Sequence, residues 1–120
     1  MIVPLLALAM IQAPNLSPRE LTGTWLNQAC KGAIRWQNAP ANAKSGADKE
    51  NFDTCFAYIE GFLDGVMNTR GICTYNGSFE VIVRVYVDYM DRTPKALDEH
   101  SSTGLRAALS RTYPCPRARK

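Results

Sequence analysis

Four cysteines in a chain of 120 residues, Cys30, Cys55, Cys73 and Cys115, constrain the fold more than any other feature. Their number is even and none stands in a C-x-x-C spacing, while His100 is the single histidine. A zinc site needs four clustered N or S donors, so this set points away from metal and toward two disulfides. Disulfides persist where the surroundings are oxidising, which places the chain outside the cytosol. Four cysteines allow three pairings, and counting alone does not choose among them. A chain this short builds one core with a modest stability margin, which cross-links would raise.

The N-terminus agrees with export. Met1 to Pro14 (MIVPLLALAMIQAP) is uncharged and apolar. It is shorter than the about 20 residues needed to span a bilayer. Its length fits the apolar region of a secretory signal peptide, with Ala7, Ala9 and Ala13 as small residues for cleavage. The basic residue that ordinarily precedes such a region is missing. Residues 1–14 are therefore read as a signal peptide or apolar leader, 17–116 as a single domain and 117–120 as a basic tail. No stable membrane insertion is expected once the leader is removed. Net charge is +3, with Arg111, Arg117, Arg119 and Lys120 crowded near the end. Basic residues interleaved with aromatics along one face are absent, so nucleic acid is not an expected partner.

Periodicity predicts helices. Ser17-Pro18-Arg19-Glu20 reads as a capped helix start. Leu21, Trp25 and Ala29 then make a stripe that ends near Cys30. Lys31 to Lys49 is rich in Ala, Asn, Gly, Lys and Ser and is expected to be a long connection. Phe52, Cys55, Phe56, Ile59, Phe62, Leu63 and Val66 form the clearest core-facing helical stripe. Gly61 and Gly65, four apart on that helix, are expected to admit close approach of another backbone, within the monomer or across a two-fold axis. Asn68 to Gly77 is a loop. Ser78 to Met90 is ambiguous: its valines alternate as in a strand, yet Ser78 can cap a helix whose stripe runs Phe79, Ile82, Val83, Tyr86, Val87, Met90. A last helix is expected over about Asp98 to Arg111, with Leu105, Ala108 and Leu109 inward.

Catalytic chemistry has little to work with. His100 sits in a polar stretch where a capping or solvated role suffices. Glu60 and Asp64, at i and i+4, read as exposed helix residues. No phosphate-binding glycine loop and no metal motif is present. No catalytic residue and no cofactor is expected.

The segment Cys55-Phe56-Ala57-Tyr58-Ile59-Glu60-Gly61-Phe62-Leu63-Asp64-Gly65, followed by Ile72-Cys73, the Val/Tyr-rich stretch Val81 to Met90, Thr93-Pro94 and Tyr113-Pro114-Cys115, resembles the Rap/Tai family. These are immunity proteins against peptidoglycan amidase toxins of the type VI secretion system. The resemblance covers about Leu21 to Cys115. It implies an all-α, small four-helix bundle in the periplasm, often a homodimer, stapled by Cys30–Cys55 and Cys73–Cys115. It also implies that Ser78 to Met90 is a helix. The partner it implies is a cognate amidase effector, blocked when a loop fills its active-site cleft. Asn68 to Gly77 is the candidate loop, with Arg70, Gly71, Thr74, Tyr75 and Asn76 as partner-binding residues, since Arg and Tyr are the common hot-spot types. Lys31 to Lys49 is the other candidate surface. The competing expectation is a periplasmic stress or chaperone-like protein with no dedicated partner.

Overall fold

A computed structural model describes residues 21–67, 71–73 and 77–116. Among these the chain forms four α-helices and no strand: α1 (Gly23–Asn38), α2 (Gly46–Val66), α3 (Phe79–Arg92) and α4 (Ser101–Thr112). Short 3-10 turns at Ala41–Ala43 and Pro94–Leu97 precede α2 and α4.

Each helix is punctuated locally. Side chains of Thr22, Ser45, Ser78 and His100 accept a hydrogen bond from a first-turn backbone N–H, satisfying donors a helix start leaves unpaired. Helices α1, α3 and α4 each stop two residues before a proline, at Pro40, Pro94 and Pro114, because the residue ahead of a proline is pushed out of the helical region. Helix α3 settles the ambiguity of Ser78 to Met90. Ser78 Oγ accepts from the Val81 N–H at 3.3 Å, and Ile82, Val83, Tyr86 and Met90 are buried along one face. A strand here would have no neighbouring strand to take its backbone hydrogen bonds. The valine preference for strands loses to that requirement.

Two expectations need correction. The stretch from Lys31 is not a loose connection: α1 continues through it to Asn38, and α2 begins at Gly46. Its apolar content is low because α1 lies so close to α2 that small residues suffice. Ala33 is fully buried, and a Cβ on Gly32 would come within 2.5 Å of the Asn51 side chain. The remaining connection is folded as well. Lys44 donates to the Trp36 carbonyl and lies 4.7 Å above the Trp36 ring, and Arg35 pairs with Asp48 at 3.0 Å. The start of α1 also differs, with Thr22 as its N-cap. The predicted start at Ser17-Pro18 lies outside the described residues, as does the leader. Of the expected stripe Leu21 is exposed, Trp25 is half-buried and Ala29 is buried, and the inner face of α1 runs through Leu26, Ala29, Cys30 and Ala33.

Helix α1 is the hub, packing on α2, α3 and α4. Cys30–Cys55 joins α1 to α2 with both residues fully buried, and Cys73–Cys115 joins the start of the α3 side to the C-terminus. Both bridges implied by the family resemblance are therefore present. The opening of α1 presses against the 3-10 turn before α4. Gly23 N–H donates to Glu99 O at 2.9 Å, and Thr24 Oγ1 donates to Leu97 O at 3.0 Å. Met90 fills the space that Gly23 and Gly104 leave by lacking side chains.

Polar groups in the centre are mostly paired. Ser101 Oγ donates to Tyr58 Oη at 2.8 Å. The Tyr86 hydroxyl is fully buried with no hydrogen-bond partner among the described residues, and Asn27 Oδ1 and Gln37 Oε1 are likewise buried without one. Burial, with Tyr58 nearby, pushes its ionisation well above the ordinary tyrosine value of 10.0. A folded pKa above the unfolded one gives stability that is complete below pH 10.0 and is lost as pH rises from there toward the folded value. Tyr86→Phe removes both the desolvated hydroxyl and that alkaline loss. We expect it to be neutral or to raise stability by about 1 kcal/mol at pH 7, with a larger advantage above pH 10, in urea titrations at both pH values.

Candidate functional site

The candidate groups for chemistry are each committed to structure or exposed on the surface. Both disulfides are closed and no cysteine is free, so no thiol nucleophile exists. His100 uses its Nδ1 to cap α4, accepting from the Ser102 N–H at 3.2 Å, and Ser102 Oγ lies 2.8 Å from the same atom. That is the capping role expected for it. Glu60 and Asp64 both face solvent on the outer side of α2. No cluster of His, Cys, Asp or Glu among the described residues could hold a metal ion. A groove of about 490 Å³ between α3 and α4 contains Asp88, Tyr89, Arg92 and Arg111, but Asp88 and Arg92 neutralise one another at 2.5 Å. The Lys31 ammonium, hydrogen-bonded to Asp91 at 2.8 Å, holds the Asp91 carboxyl below the usual range, with a smaller contribution from Asn27. That pair is on the surface and ties α1 to α3.

The candidate loop is anchored by a clasp. Ile72 is fully buried and bridges Met67 on one side and Pro114 on the other. Cys73 N–H donates to Tyr113 O at 2.8 Å, and Cys115 N–H donates to Gly71 O at 3.3 Å. The disulfide crosses beside these two bonds. Gly71 has φ +85°, a left-handed conformation that any larger side chain adopts only with strain, so the backbone turns sharply into the buried Ile72. Of the predicted partner-binding residues, Gly71 is thus placed at the clasp, exposed. Arg70, Thr74, Tyr75 and Asn76 lie outside the described residues.

A second surface was assigned to the core by periodicity. Phe56 was counted in the α2 stripe, yet it is 43% exposed. It lies at the edge of that stripe, where Phe79 of α3 meets it ring to ring. Phe52, Phe56 and Phe79 form an aromatic cluster: Phe56 and Phe79 meet edge-on at 5.0 Å, Phe52 and Phe79 at 5.6 Å, and Phe52 and Phe56 stack at 6.0 Å. Ring pairs in these geometries attract beyond their area burial, which favours this arrangement while Phe56 stays exposed. Phe79 follows Gly77, the end of the candidate loop, by two residues. The sequence signal for this surface was thin: three phenylalanines share one side of α2 and the start of α3, but only their packing shows that the side is open.

Gly61 and Gly65 are exposed on α2, and a Cβ built on either would meet no described atom within 4 Å. The close backbone approach expected of them is not made within the described part of this chain. Gly23, Gly32 and Gly104 carry the close approaches instead.

The family model of the Rap1a immunity proteins matches residues 22–115, from the N-cap of α1 to the last cysteine. No curated protein and no solved structure matches the chain.

Proposed function

The chain belongs to the Rap1a immunity protein family, and from that premise we propose that it binds and blocks a peptidoglycan-degrading amidase toxin in the periplasm, occluding the toxin's active-site cleft. The observation that carries this reading is the family match, which spans all four helices and both bridges rather than one motif. An immunity protein neutralises a toxin, and steric occlusion needs only a rigid surface. Two disulfides supply rigidity, and pre-ordered surfaces lose little entropy on binding. They also suit an oxidising compartment. No helix among the described residues is long and apolar enough to cross a membrane.

The proposed contact surface is the Asn68 to Gly77 loop, with Gly71 at its base, continued by the Phe52, Phe56 and Phe79 cluster. Exposed aromatics supported by rigid neighbours are the usual carriers of binding energy. The same reading includes a homodimer, with the open face of α2 at Gly61 and Gly65 as its meeting surface.

The test is inhibition of purified peptidoglycan amidases by the oxidised mature chain. One enzyme should be inhibited at one-to-one stoichiometry. Phe56→Asp should weaken that inhibition by about 30-fold or more, the effect of losing a hot spot of about 2 kcal/mol. Its thermal stability should fall by no more than the about 1 kcal/mol that ring contacts contribute. Inhibition unchanged by Phe56→Asp would remove the aromatic cluster from the site. Inhibition of no amidase would end the toxin-blocking reading.

A further inference from the structure

The two disulfides occupy opposite environments. Cys30 and Cys55 are fully buried between α1 and α2. Cys73 and Cys115 are both half-buried, next to the exposed Gly71, Pro114 and Pro116. Thiol–disulfide exchange requires a thiolate to reach a sulfur directly, so access decides the rate. The first bridge can be reached only when the helices separate. The second lies between two residues that both keep part of their surface exposed in the folded protein.

Their mechanical roles differ as well. Cys30–Cys55 links two helices already packed along their length. Cys73–Cys115 joins segments 42 residues apart, which among the described residues are also held by two backbone hydrogen bonds and by the buried Ile72 bridging to Pro114. We propose that Cys73–Cys115 is a redox-operated clasp: a dithiol reductant opens it in the folded protein and frees Tyr113 to Pro116 from Gly71 to Cys73, while Cys30–Cys55 stays closed. In the first step a reductant thiolate attacks one sulfur, forming a mixed disulfide and expelling the other cysteine as a thiolate. The second thiol of the reductant then attacks the mixed disulfide. The reductant leaves as an internal disulfide, and Cys73 and Cys115 together gain two electrons and two protons.

A functional consequence follows, and it rests on the toxin-blocking reading above. Gly71 to Cys73 form the base of the proposed contact loop, and the oxidised clasp is the covalent part of what holds that base, beside the buried Ile72 and two backbone hydrogen bonds. The chain then blocks its toxin in an oxidising compartment and not in a thiol-reducing one.

The experiment exposes the full oxidised chain to dithiothreitol without denaturant, quenches with N-ethylmaleimide at intervals, and assigns labelled cysteines by peptide mass. Cys73 and Cys115 should be labelled at least about 100-fold faster than Cys30 and Cys55, since the buried pair reacts only through rare opening of the core. Far-UV helicity should persist at the stage of single reduction, and amide exchange at Cys73 and Cys115 should quicken by about tenfold or more. The double variant Cys73→Ser, Cys115→Ser should show the same fast exchange. Should that variant not fold, the labelling of the unaltered chain still decides. Equal labelling of the two bridges, earlier labelling of Cys30 and Cys55, helicity lost with the first reduction, or unchanged exchange would each overturn the clasp. Undiminished amidase inhibition by the singly reduced chain would overturn its functional consequence. Absence of inhibition by the oxidised chain would count against the toxin-blocking reading and leave the labelling result standing.

Discussion

Replacing Cys30 and Cys55 together by alanine is expected to lower the unfolding free energy by about 3–5 kcal/mol, a large share of what a domain this size possesses. The bridge closes a separation of 25 residues. By the chain-entropy model a loop of that length contributes about 3.5 kcal/mol through the unfolded state. Both sulfurs are fully buried, so the alanines also leave space in the core that surrounding side chains fill only in part. Part of the loss would therefore show as weaker packing of α1 on α2, not only as entropy. Urea denaturation with far-UV detection measures it. A loss below about 1 kcal/mol would mean that α1 and α2 hold together without the bridge.

Gly23→Ala is expected to cost about 3 kcal/mol, more than most single-methyl additions. A Cβ there would fall 2.2 Å from the Ala96 carbonyl oxygen and 2.6 Å from Met90 Cε. The methionine end can swing aside, but the carbonyl belongs to the backbone turn before α4. Relief therefore requires the first turn of α1 to lift away from that turn. It would stretch the hydrogen bonds from Gly23 N–H to Glu99 O and from Thr24 Oγ1 to Leu97 O. Gly61→Ala and Gly65→Ala are the internal controls. Both positions are inside α2 with no described atom within 4 Å of the added carbon. Each should gain up to about 1 kcal/mol, because alanine loses less backbone entropy than glycine in a helix. Thermal melts of the three variants give the comparison, and a Gly23→Ala protein as stable as the parent would disprove the docking of α1 on that turn. Sedimentation of the α2 variants bears on the proposed homodimer: a dimer weakened by these methyl groups alone would meet at that face.

Local chemistry made much of the fold legible. Ser78 and the stripe from Phe79 to Met90 fitted a helix as well as a strand, and Thr93-Pro94 marked its end. The inward residues of α4 were Leu105, Ala108 and Leu109, as their spacing predicts. The capping role of His100 was likewise open to inspection. Less legible was the second half of α1. A helix that meets its neighbour through Gly32 and Ala33 has too few large apolar residues to produce a periodic signal. The exposed aromatic surface was hidden for a related reason. Phe56 carries the same hydrophobicity whether α3 covers it or leaves it open, so a pattern along one helix cannot report its exposure.

The sequence by itself determined where helices can begin and stop, which residue of each turn is apolar, and that four cysteines must be paired or reactive. Caps, prolines and periodicity act over a few residues, and they are complete in the local chain. Tertiary structure alone decided which apolar side chains are covered, which glycines are crowded and which disulfide meets solvent. Those outcomes depend on segments tens of residues apart arriving at the same place, as Gly23 does with Ala96 and Gly71 with Cys115.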